Sequence, residues 1–267
     1  LGTADVLTGN VSPSGKLTDT IAENVSDYPS ASHFGNTERE FYCEDVYVGY
    51  RYFETFAKEK VLYPFGYGLS YTKFELNTAV EPKSTSVCFD ITVKNVGKCC
   101  GKEVVQVYFQ APQGKLGSPL RRLCAFGKTK TLSPAEEQTL HFEIALDELT
   151  SYDDSGVTGN KSCYVREEGT FTFYVGTDVR SAAEIYSFAQ INTVVVKRLS
   201  EACAPVLPFE RIKPQFEGNG YIAVTENIPT ATADMNKRRM ENLPKEIQQT
   251  GDMGIKLGDV VDGKHTM

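Results

Sequence analysis

The residues of this chain best suited to chemistry are four carboxylates and one arginine around an aromatic run. They are Glu40, Glu44, Asp45, Glu54 and Arg51, in and beside the run FYCEDVYVGYRYFETF. Two carboxylates about 5 Å or about 6.5–9.5 Å apart could catalyse glycoside hydrolysis. Spacing along a loop sets no such distance, and structural ion pairs with Arg39 and Arg51 are the favoured interpretation. Arg51, set between tyrosines, is predicted to stack or pair, so it could order a loop or hold a ligand hydroxyl.

Nucleophilic catalysis through a histidine base is not indicated. The three histidines are His33, His141 and His265. His141 alternates with apolar neighbours and is predicted to be a strand-face residue rather than a base. The sequence contains no GxSxG, no P-loop and no GxGxxG before a helix.

Composition excludes several classes of partner and cofactor. The net charge is −7 and the acidic residues are spread along the chain, which argues against nucleic acid and anionic membranes. No apolar run approaches the about 18 residues of a membrane span, and we expect no secretory signal. The seven cysteines form no CxxC, and none lies at metal-ligand spacing from a histidine. We therefore predict no metal and no cofactor.

Cysteine usage favours a reducing compartment. The count is odd, and the adjacent Cys99 and Cys100 could form only a strained bond. Reduced thiols in a bacterial cytoplasm are the expectation. Three Asn-x-Ser/Thr sequons, at Asn10, Asn24 and Asn160, weakly favour a secreted protein instead.

The first 77 residues contain only short patterns that indicate secondary structure. Residues 16–21 alternate like a strand, and residues 46–53 could form a strand or a short helix. The stretch 62–76, LYPFGYGLSYTKFEL, is predicted to pack the seam to the next domain with the rings of Tyr63, Phe65, Tyr67, Tyr71 and Phe74. Pro64 and Gly66 would turn the chain there, and Gly68 would allow close backbone approach.

Residues 78–198 carry the pattern of an antiparallel β-sandwich. Alternating or β-branched runs occur at residues 86–94, 104–109, 122–132, 138–144, 169–176 and 189–196. Turn residues separate them. Because the chain has no Trp, a fibronectin-like sandwich fits better than an antibody-type one. In residues 199–267 five prolines interrupt the β pattern, so we interpret this part as a linker or arm with a short helix at 235–242.

Three motifs in the first 77 residues resemble the end of the α/β-sandwich domain of family 3 glycoside hydrolases. They are ADVLTGNVSPSGKLTDTI, YCEDVYVGYRYFETF and VLYPFGYGLSYTKFEL, in the family's order and spacing. The segments VKNVGKCCGKEVVQVYF and LRRLCAFGKTKTLSPAEEQTLHFEI resemble the fibronectin type III-like domain that follows there. The resemblance implies a mostly β fold. A partial α/β-sandwich segment (1–77) precedes a fibronectin type III-like β-sandwich (78–198), and an irregular linker (199–267) follows.

The resemblance also implies an activity. The family's retaining β-glycosidases use an aspartate nucleophile in a TIM-like barrel and a glutamate acid/base in the sandwich domain, and neither position has a counterpart here. We expect the non-catalytic portion of a β-glucosidase, bracing the missing barrel and the rest of the sandwich domain. β-Linked glucosides or short oligosaccharides would be substrates of the intact enzyme. Glu44, Asp45 and Arg51 are the candidates for touching sugar or supporting the pocket.

The closing segment of the chain bears on domain order. MGIKLGDVVDGKHTM resembles the approach to the barrel in family members whose domain order is reversed. The chain is therefore expected to be an internal piece of a longer protein.

A free-standing carbohydrate-binding or adhesive module of the fibronectin type, without hydrolase activity, is the alternative. Such modules present exposed aromatic rings, and the chain has 14 Tyr and 15 Phe. Most of these alternate at strand spacing, which is typical of core residues. A purely structural interaction domain is a third interpretation.

Overall fold

The computed structural model describes residues 2–35, 37, 40–199, 204–231, 260–261 and 264–265. The N-terminal part contains helices α1 (Gly2–Leu7) and α2 (Tyr50–Phe56) and a short antiparallel strand pair, β1 (Ile21–Ala22) and β2 (Val61–Tyr63). Within these described ranges no helix has both the length and the apolar character needed to cross a membrane.

The strand predicted at residues 16–21 is largely wrong, because only Ile21–Ala22 pairs as a strand. Leu17 instead bonds to a turn in the glycine- and tyrosine-rich stretch. Its amide donates to the Tyr67 carbonyl at 2.8 Å, and its carbonyl accepts from the Gly66 amide at 2.8 Å. The turn thus satisfies the backbone groups that a neighbouring strand would otherwise bond.

Residues 46–53 form a loop followed by the start of helix α2. The helix begins after Gly49, whose φ of 56° lies in the left-handed region that glycine adopts without steric cost. The helix buries Phe53, Glu54 and Thr55. A charged residue on its buried face requires a partner from elsewhere in the fold.

Three sheets follow the N-terminal part. Their strands are β3 (Phe74–Pro82), β4 (Ser86–Asn95), β5 (Val104–Gln110), β6 (Arg122–Lys128), β7 (Glu137–Ala145), β8 (Ser151–Asp153), β9 (Cys163–Arg166), β10 (Gly169–Gly176), β11 (Ala183–Gln190) and β12 (Val194–Arg198). Two sheets, ordered β3-β4-β7 and β11-β10-β5-β6, form the sandwich. A smaller sheet has the order β12-β9-β8.

The core lies between the two larger sheets, because alternate residues of their strands point inward. In β4, Val87, Phe89, Ile91 and Val93 are all buried. The ring of Phe89 meets that of Phe173 in β10, with centroids 5.0 Å apart. The structure thus confirms the predicted mostly β fold with a fibronectin-like sandwich.

The tail contains a hairpin that the sequence did not indicate. Strand β13 (Glu210–Glu217) pairs antiparallel with β14 (Gly220–Asn227), and β15 (Val260–Val261) pairs with β16 (Lys264–His265). The hairpin β13–β14 contacts α2, and the Ile212 amide donates to the Cys43 carbonyl at 2.8 Å. This part of the tail is therefore attached to the first part of the chain. The helix predicted at 235–242 lies outside the described residues.

Part of the stretch 62–76 fills the seam between the N-terminal part and the sandwich. The ring of Phe65 lies 4.5 Å from that of Tyr50, and both pack against a small buried cluster of the sandwich. Gly66 has a φ of 83°, and a Cβ there would lie 2.9 Å from a backbone atom of the sandwich. A Cβ at Gly68 would lie 2.5 Å from the carbonyl oxygen of Gly15. The predicted turn and close backbone approach are both confirmed. Seam packing by Tyr63 and Tyr71 is wrong, because their side chains are 47% and 50% exposed.

Candidate functional site

Asp45 and Arg51, two of the three residues predicted to contact substrate, line one cavity of about 270 Å³. The cavity lies where the loop before α2, the sandwich and the hairpin β13–β14 meet, and we call it the junction cavity. Its charged lining residues are Asp45, Asp154, Glu226, Arg51, Arg122, Arg211 and Lys213. Glu44 does not line this cavity, so the structure brings together only two of the three predicted residues.

One end of the junction cavity is an ion-pair cluster around Arg211 of β13. Its terminal nitrogens lie 2.5 Å and 3.1 Å from the two carboxylate oxygens of Asp154. They also lie 3.2 Å from Asp45 and 2.9 Å from Glu226. Lys213 adds a 2.8 Å contact to Glu226. Because a guanidinium fork suits bidentate pairing with a carboxylate, the cluster attaches the hairpin to the sandwich and to the loop.

The charges of this cluster shift one another's pKa values. Burial would lower the pKa of Arg211, but hydrogen bonding to Asp154 and the charges of Asp154 and Asp45 raise it on balance. Burial would raise the pKa of Glu226, but bonds from Lys213 and Arg211 lower it on balance. The pKa of Asp45 is raised, first by burial, although Arg211 opposes this. With Arg211 between the carboxylates, the cluster is a structural ion-pair group rather than an acid–base pair flanking substrate.

The other end of the junction cavity holds two guanidinium groups with no carboxylate partner among the described residues. Arg122 of β6 donates to the Thr150 carbonyl at 3.0 Å and lies 4.6 Å from the ring centroid of Phe109. Arg51 lies 6.0 Å from the ring centroid of Tyr50. Burial, and then the positive charge of Arg51, lower the pKa of Arg122 to about 10. Arg122 is therefore still a cation at neutral pH.

Tyr47 brings a buried hydroxyl to the same cavity. The residue is 2% exposed and lines the cavity, and its Oη has no hydrogen-bond partner among the described residues. Its ring packs against Phe56 with centroids 4.9 Å apart. A Cβ at Gly117 would lie 3.3 Å from the hydroxyl oxygen, so glycine leaves room there. Burial, and then the charge of Asp45, raise the pKa of Tyr47, which keeps the hydroxyl protonated as a donor.

The ion pairs expected for the acidic residues form with other partners. Asp45 pairs with an arginine of the hairpin rather than with Arg51, so that part of the prediction is wrong. Glu54, on the buried face of α2, lies 3.0 Å from Nε of Arg180. The other predicted partner, Arg39, lies outside the described residues. Asp45 and Glu54 therefore each connect two separate segments of the chain.

Sequence reasoning missed Tyr47, Arg122 and Arg211. Arg211 lies far from Asp45 in the sequence, in a segment that we interpret as a linker. No sequence pattern therefore predicts a contact between the two residues. The one available signal was the pair Arg121-Arg122 at the start of an otherwise apolar strand. A charged residue at such a position commonly marks a buried polar contact.

Residues outside the cavity offer little further chemistry. His141 lies on the exposed face of β7, with Nδ1 2.6 Å from the carboxylate of Asp90, as its alternation predicted. Across the described part of the chain, no group of His, Cys, Asp and Glu is arranged to hold a metal ion. The six described cysteines are free thiols.

Two family models match the chain. A model of the glycosyl hydrolase family 3 C-terminal domain matches residues 2–71, and a model of a fibronectin type III-like domain matches residues 103–179. The junction cavity takes Arg51 from the first matched segment and Arg122 from the second.

Individual relatives match over most or all of the chain. A β-glucosidase of Ruminococcus albus is 51% identical over 266 residues, which is 100% of this chain and 28% of the relative. The crystal structure of a β-glucosidase from Paenibacillus barengoltzii is similar with a TM-score of 0.85 at 45% identity, covering 96% of this chain and 29% of that one. β-Glucosidase 3B from Thermotoga neapolitana, in complex with α-D-glucose, has a TM-score of 0.65 at 37% identity, covering 72% and 26%. The chain thus spans less than a third of the length of these relatives.

Proposed function

Because this chain belongs to glycosyl hydrolase family 3, as part of its C-terminal domain followed by a fibronectin type III-like domain, we propose that it is the non-catalytic portion of a β-glucosidase. In the intact enzyme it would brace the catalytic domains, and that enzyme would hydrolyse terminal β-D-glucosyl residues in carbohydrate metabolism. The similarity to β-glucosidases of Ruminococcus albus and Paenibacillus barengoltzii supports this.

The observation that carries the proposal is apolar surface left open on the first part of the chain. Leu7, Val25, Leu62 and Leu69 are 78%, 81%, 54% and 67% exposed. Within the described ranges the sheet β1–β2 has two strands, and such a pair is marginally stable in water and offers open edges. Burying one such side chain would contribute about 1.5–3 kcal/mol. This surface fits docking against the rest of an α/β-sandwich domain and a barrel.

We propose that the chain alone is inactive. The resemblance places the nucleophile aspartate in a barrel and the acid/base glutamate upstream, and no residue of this chain corresponds to either. Contact between a sugar and Glu44, Asp45 or Arg51 stays a prediction. Arg51 is the best placed of the three, because the carboxylate of Asp45 is engaged by Arg211 and Glu44 lies outside the junction cavity.

The domain division and the location of the protein belong to the same proposal. We divide the chain at 1–77, 78–198 and 199–267, with the last part leading towards the barrel in a protein of reversed domain order. The match of the Ruminococcus albus enzyme over all of this chain supports a continuation beyond the sandwich. A bacterial cytoplasm fits that similarity and the odd count of seven cysteines.

The alternative, a sugar-binding module, has one observation in its favour. Tyr152 and Tyr164 are 37% and 39% exposed, with ring centroids 5.3 Å apart, and could form a small stacking platform. Other aromatic rings of the sandwich, such as Phe171 and Phe173, are buried in its core. Saturable binding of the chain to a β-glucan, lost on Tyr164→Ala, would favour this alternative.

Surface probing tests the proposed bracing role. The purified chain should bind an apolar dye such as anilinonaphthalene sulfonate, and limited proteolysis should cut residues 2–71 before the sandwich. Replacing Leu62 and Leu69 by Ser should reduce dye binding. Ile191→Ser is the matched control, since Ile191 is 76% exposed but lies on the sandwich. Equal protease resistance of both parts, with no dye binding, would contradict the proposal.

A further inference from the structure

The arginine-rich end of the junction cavity has the composition of an anion site. We propose that it binds a small oxyanion, of the phosphate, sulfate or carboxylate class, between the guanidinium groups of Arg51 and Arg122, with the hydroxyl of Tyr47 as a third donor. The inference does not depend on the proposed function, because it concerns a site at the junction of three parts of the chain rather than a glycosidic bond.

The ion pairs in the cavity indicate why Arg51 and Arg122 are the residues available to bind an anion. Of its four cationic residues, Arg211 and Lys213 are engaged by carboxylates at 2.5–3.2 Å. Arg51 and Arg122 have no carboxylate within ion-pair distance in the described ranges, although both side chains are half-buried. Two neighbouring cations in a shielded site repel each other, and an anion between them adds an attraction to each that outweighs the repulsion.

The lowered pKa of Arg122 has a related cause, because this side chain has a cationic neighbour and no carboxylate partner in the described ranges. Burial comes first among its causes and the charge of Arg51 second, and together they lower this pKa to about 10. A bound oxyanion would raise it again by offering charge-assisted hydrogen bonds. The guanidinium fork suits the paired oxygens of phosphate and carboxylate groups.

The hydroxyl of Tyr47 is an independent indication of a ligand. Tyr47 is 2% exposed and lines the cavity, and no residue in the described part of the chain is a hydrogen-bond partner of its Oη. A buried polar group without a partner is costly and is uncommon in folded proteins. The unprotonated oxygens of an oxyanion accept hydrogen bonds, so they complement both the tyrosine hydroxyl and the two guanidinium groups.

The size and the remaining charges of the cavity restrict the ligand. Its volume of about 270 Å³ is just below the range of about 300–1,000 Å³ typical of sites for drug-sized ligands. The carboxylates of Asp45, Asp154 and Glu226 also line the cavity, and the charge of Asp45 already acts on the hydroxyl of Tyr47, so they would repel a second anionic group. A single small oxyanion at the Arg51–Arg122 end fits both restrictions.

Calorimetry and thermal unfolding of the full chain test the site, with inorganic phosphate as probe and sodium chloride at matched ionic strength as reference. We expect saturable phosphate binding and a rise in Tm beyond that in chloride. Arg51→Gln and Arg122→Gln should abolish both. Arg198→Gln, which removes an exposed arginine outside the cavity, should leave both unchanged. Acetate in place of phosphate distinguishes a carboxylate ligand from a tetrahedral one.

Tyr47→Phe keeps the test decisive if an arginine variant fails to fold. It should weaken phosphate binding about tenfold, as loss of one hydrogen bond to a charged group does, while leaving the Tm without phosphate equal or higher. Phosphate that raises Tm no more than chloride would overturn the proposal, and so would undiminished binding to Tyr47→Phe. Binding of glucose in place of phosphate would also overturn it, in favour of the sugar contact predicted for Arg51.

Discussion

Nε of Arg180, in the turn between β10 and β11, lies 3.0 Å from a carboxylate oxygen of Glu54 in helix α2. The side chain of Glu54 is only 4% exposed, and Arg180 also donates to the Lys58 carbonyl at 2.6 Å. A single arginine of the sandwich therefore binds both the buried face of α2 and the turn at Lys58–Lys60 that follows the helix. This contact, together with the packing of Phe65, joins the two matched domains.

Glu54→Ala should destabilise the chain by about 1–3 kcal/mol, because it leaves the Arg180 guanidinium without its carboxylate partner. The midpoint of urea unfolding would measure the loss. Glu59→Ala, which removes an exposed carboxylate near the same helix, is the matched control and should change the free energy of unfolding by less than about 0.5 kcal/mol. Equal effects of Glu54→Ala and Glu59→Ala on the free energy of unfolding would show that the contact between Glu54 and Arg180 does not stabilise the chain.

Asp153 should make stability depend on pH in the acid range. Burial would raise its pKa, but bonds from Thr158, Gly156 and Ser155 outweigh this and lower the pKa below its usual value. A depressed carboxyl pKa contributes stability that is complete above the unfolded value, about 3.9. That contribution is lost as pH falls through the folded value. The free energy of unfolding should therefore fall below about pH 4.

Asp153→Asn tests this dependence. The variant should be less stable by about 1–3 kcal/mol at pH 7, since an amide nitrogen would face backbone donors, and its stability should fall less steeply in acid. Urea unfolding between pH 3 and pH 7 gives both quantities. Asp147→Asn controls for the loss of a carboxylate, because that side chain is 77% exposed. An acid slope in Asp153→Asn equal to that of the unmodified chain would refute the assignment.

Gly66→Ala should destabilise the seam between the domains. A Cβ there would lie 2.6 Å from the side chain of Gln106 and 2.9 Å from the backbone of Asp178, at a φ of 83°. The strained backbone alone costs about 1–3 kcal/mol. Gly15→Ala is the matched control, because a Cβ at Gly15 would meet nothing within 4 Å. Differential scanning calorimetry should show a lower Tm for Gly66→Ala only, and equal Tm values would contradict the packing described.

Five of the seven sandwich strands, β4, β5, β6, β7 and β10, could be predicted because their burial follows the alternation of the sequence. β4 shows this directly, with Val87, Phe89, Ile91 and Val93 buried as the pattern SVCFDITVK indicates. Strands β3 and β11 were not predicted, and the run at 189–196 covers the end of β11 and most of β12 rather than one strand. The family could also be recognised, because its motifs are local. A glycine such as Gly66 could be assigned a role because the sequence around it predicts a turn, and glycine adopts the backbone conformation of such a turn without steric cost.

The hairpin β13–β14 could not be predicted, and the junction cavity was missed with it. Pro214 lies inside β13, and a proline there argues against a central strand. A two-stranded hairpin has only edge strands, so the missing amide costs no ladder bond on its open side. Arg211 and Asp45 come together only through this hairpin, and a sequence pattern does not show contacts between distant segments.

The most direct test of the account is hydrolysis of an aryl β-D-glucoside by the purified chain. A full-length family 3 β-glucosidase, such as that of Ruminococcus albus, assayed in parallel shows that the conditions support turnover. The account predicts release of the aryl group at the rate of the buffer blank, because it places both catalytic carboxylates outside this chain. Turnover above the blank that co-purifies with the chain and persists in independent preparations would contradict it.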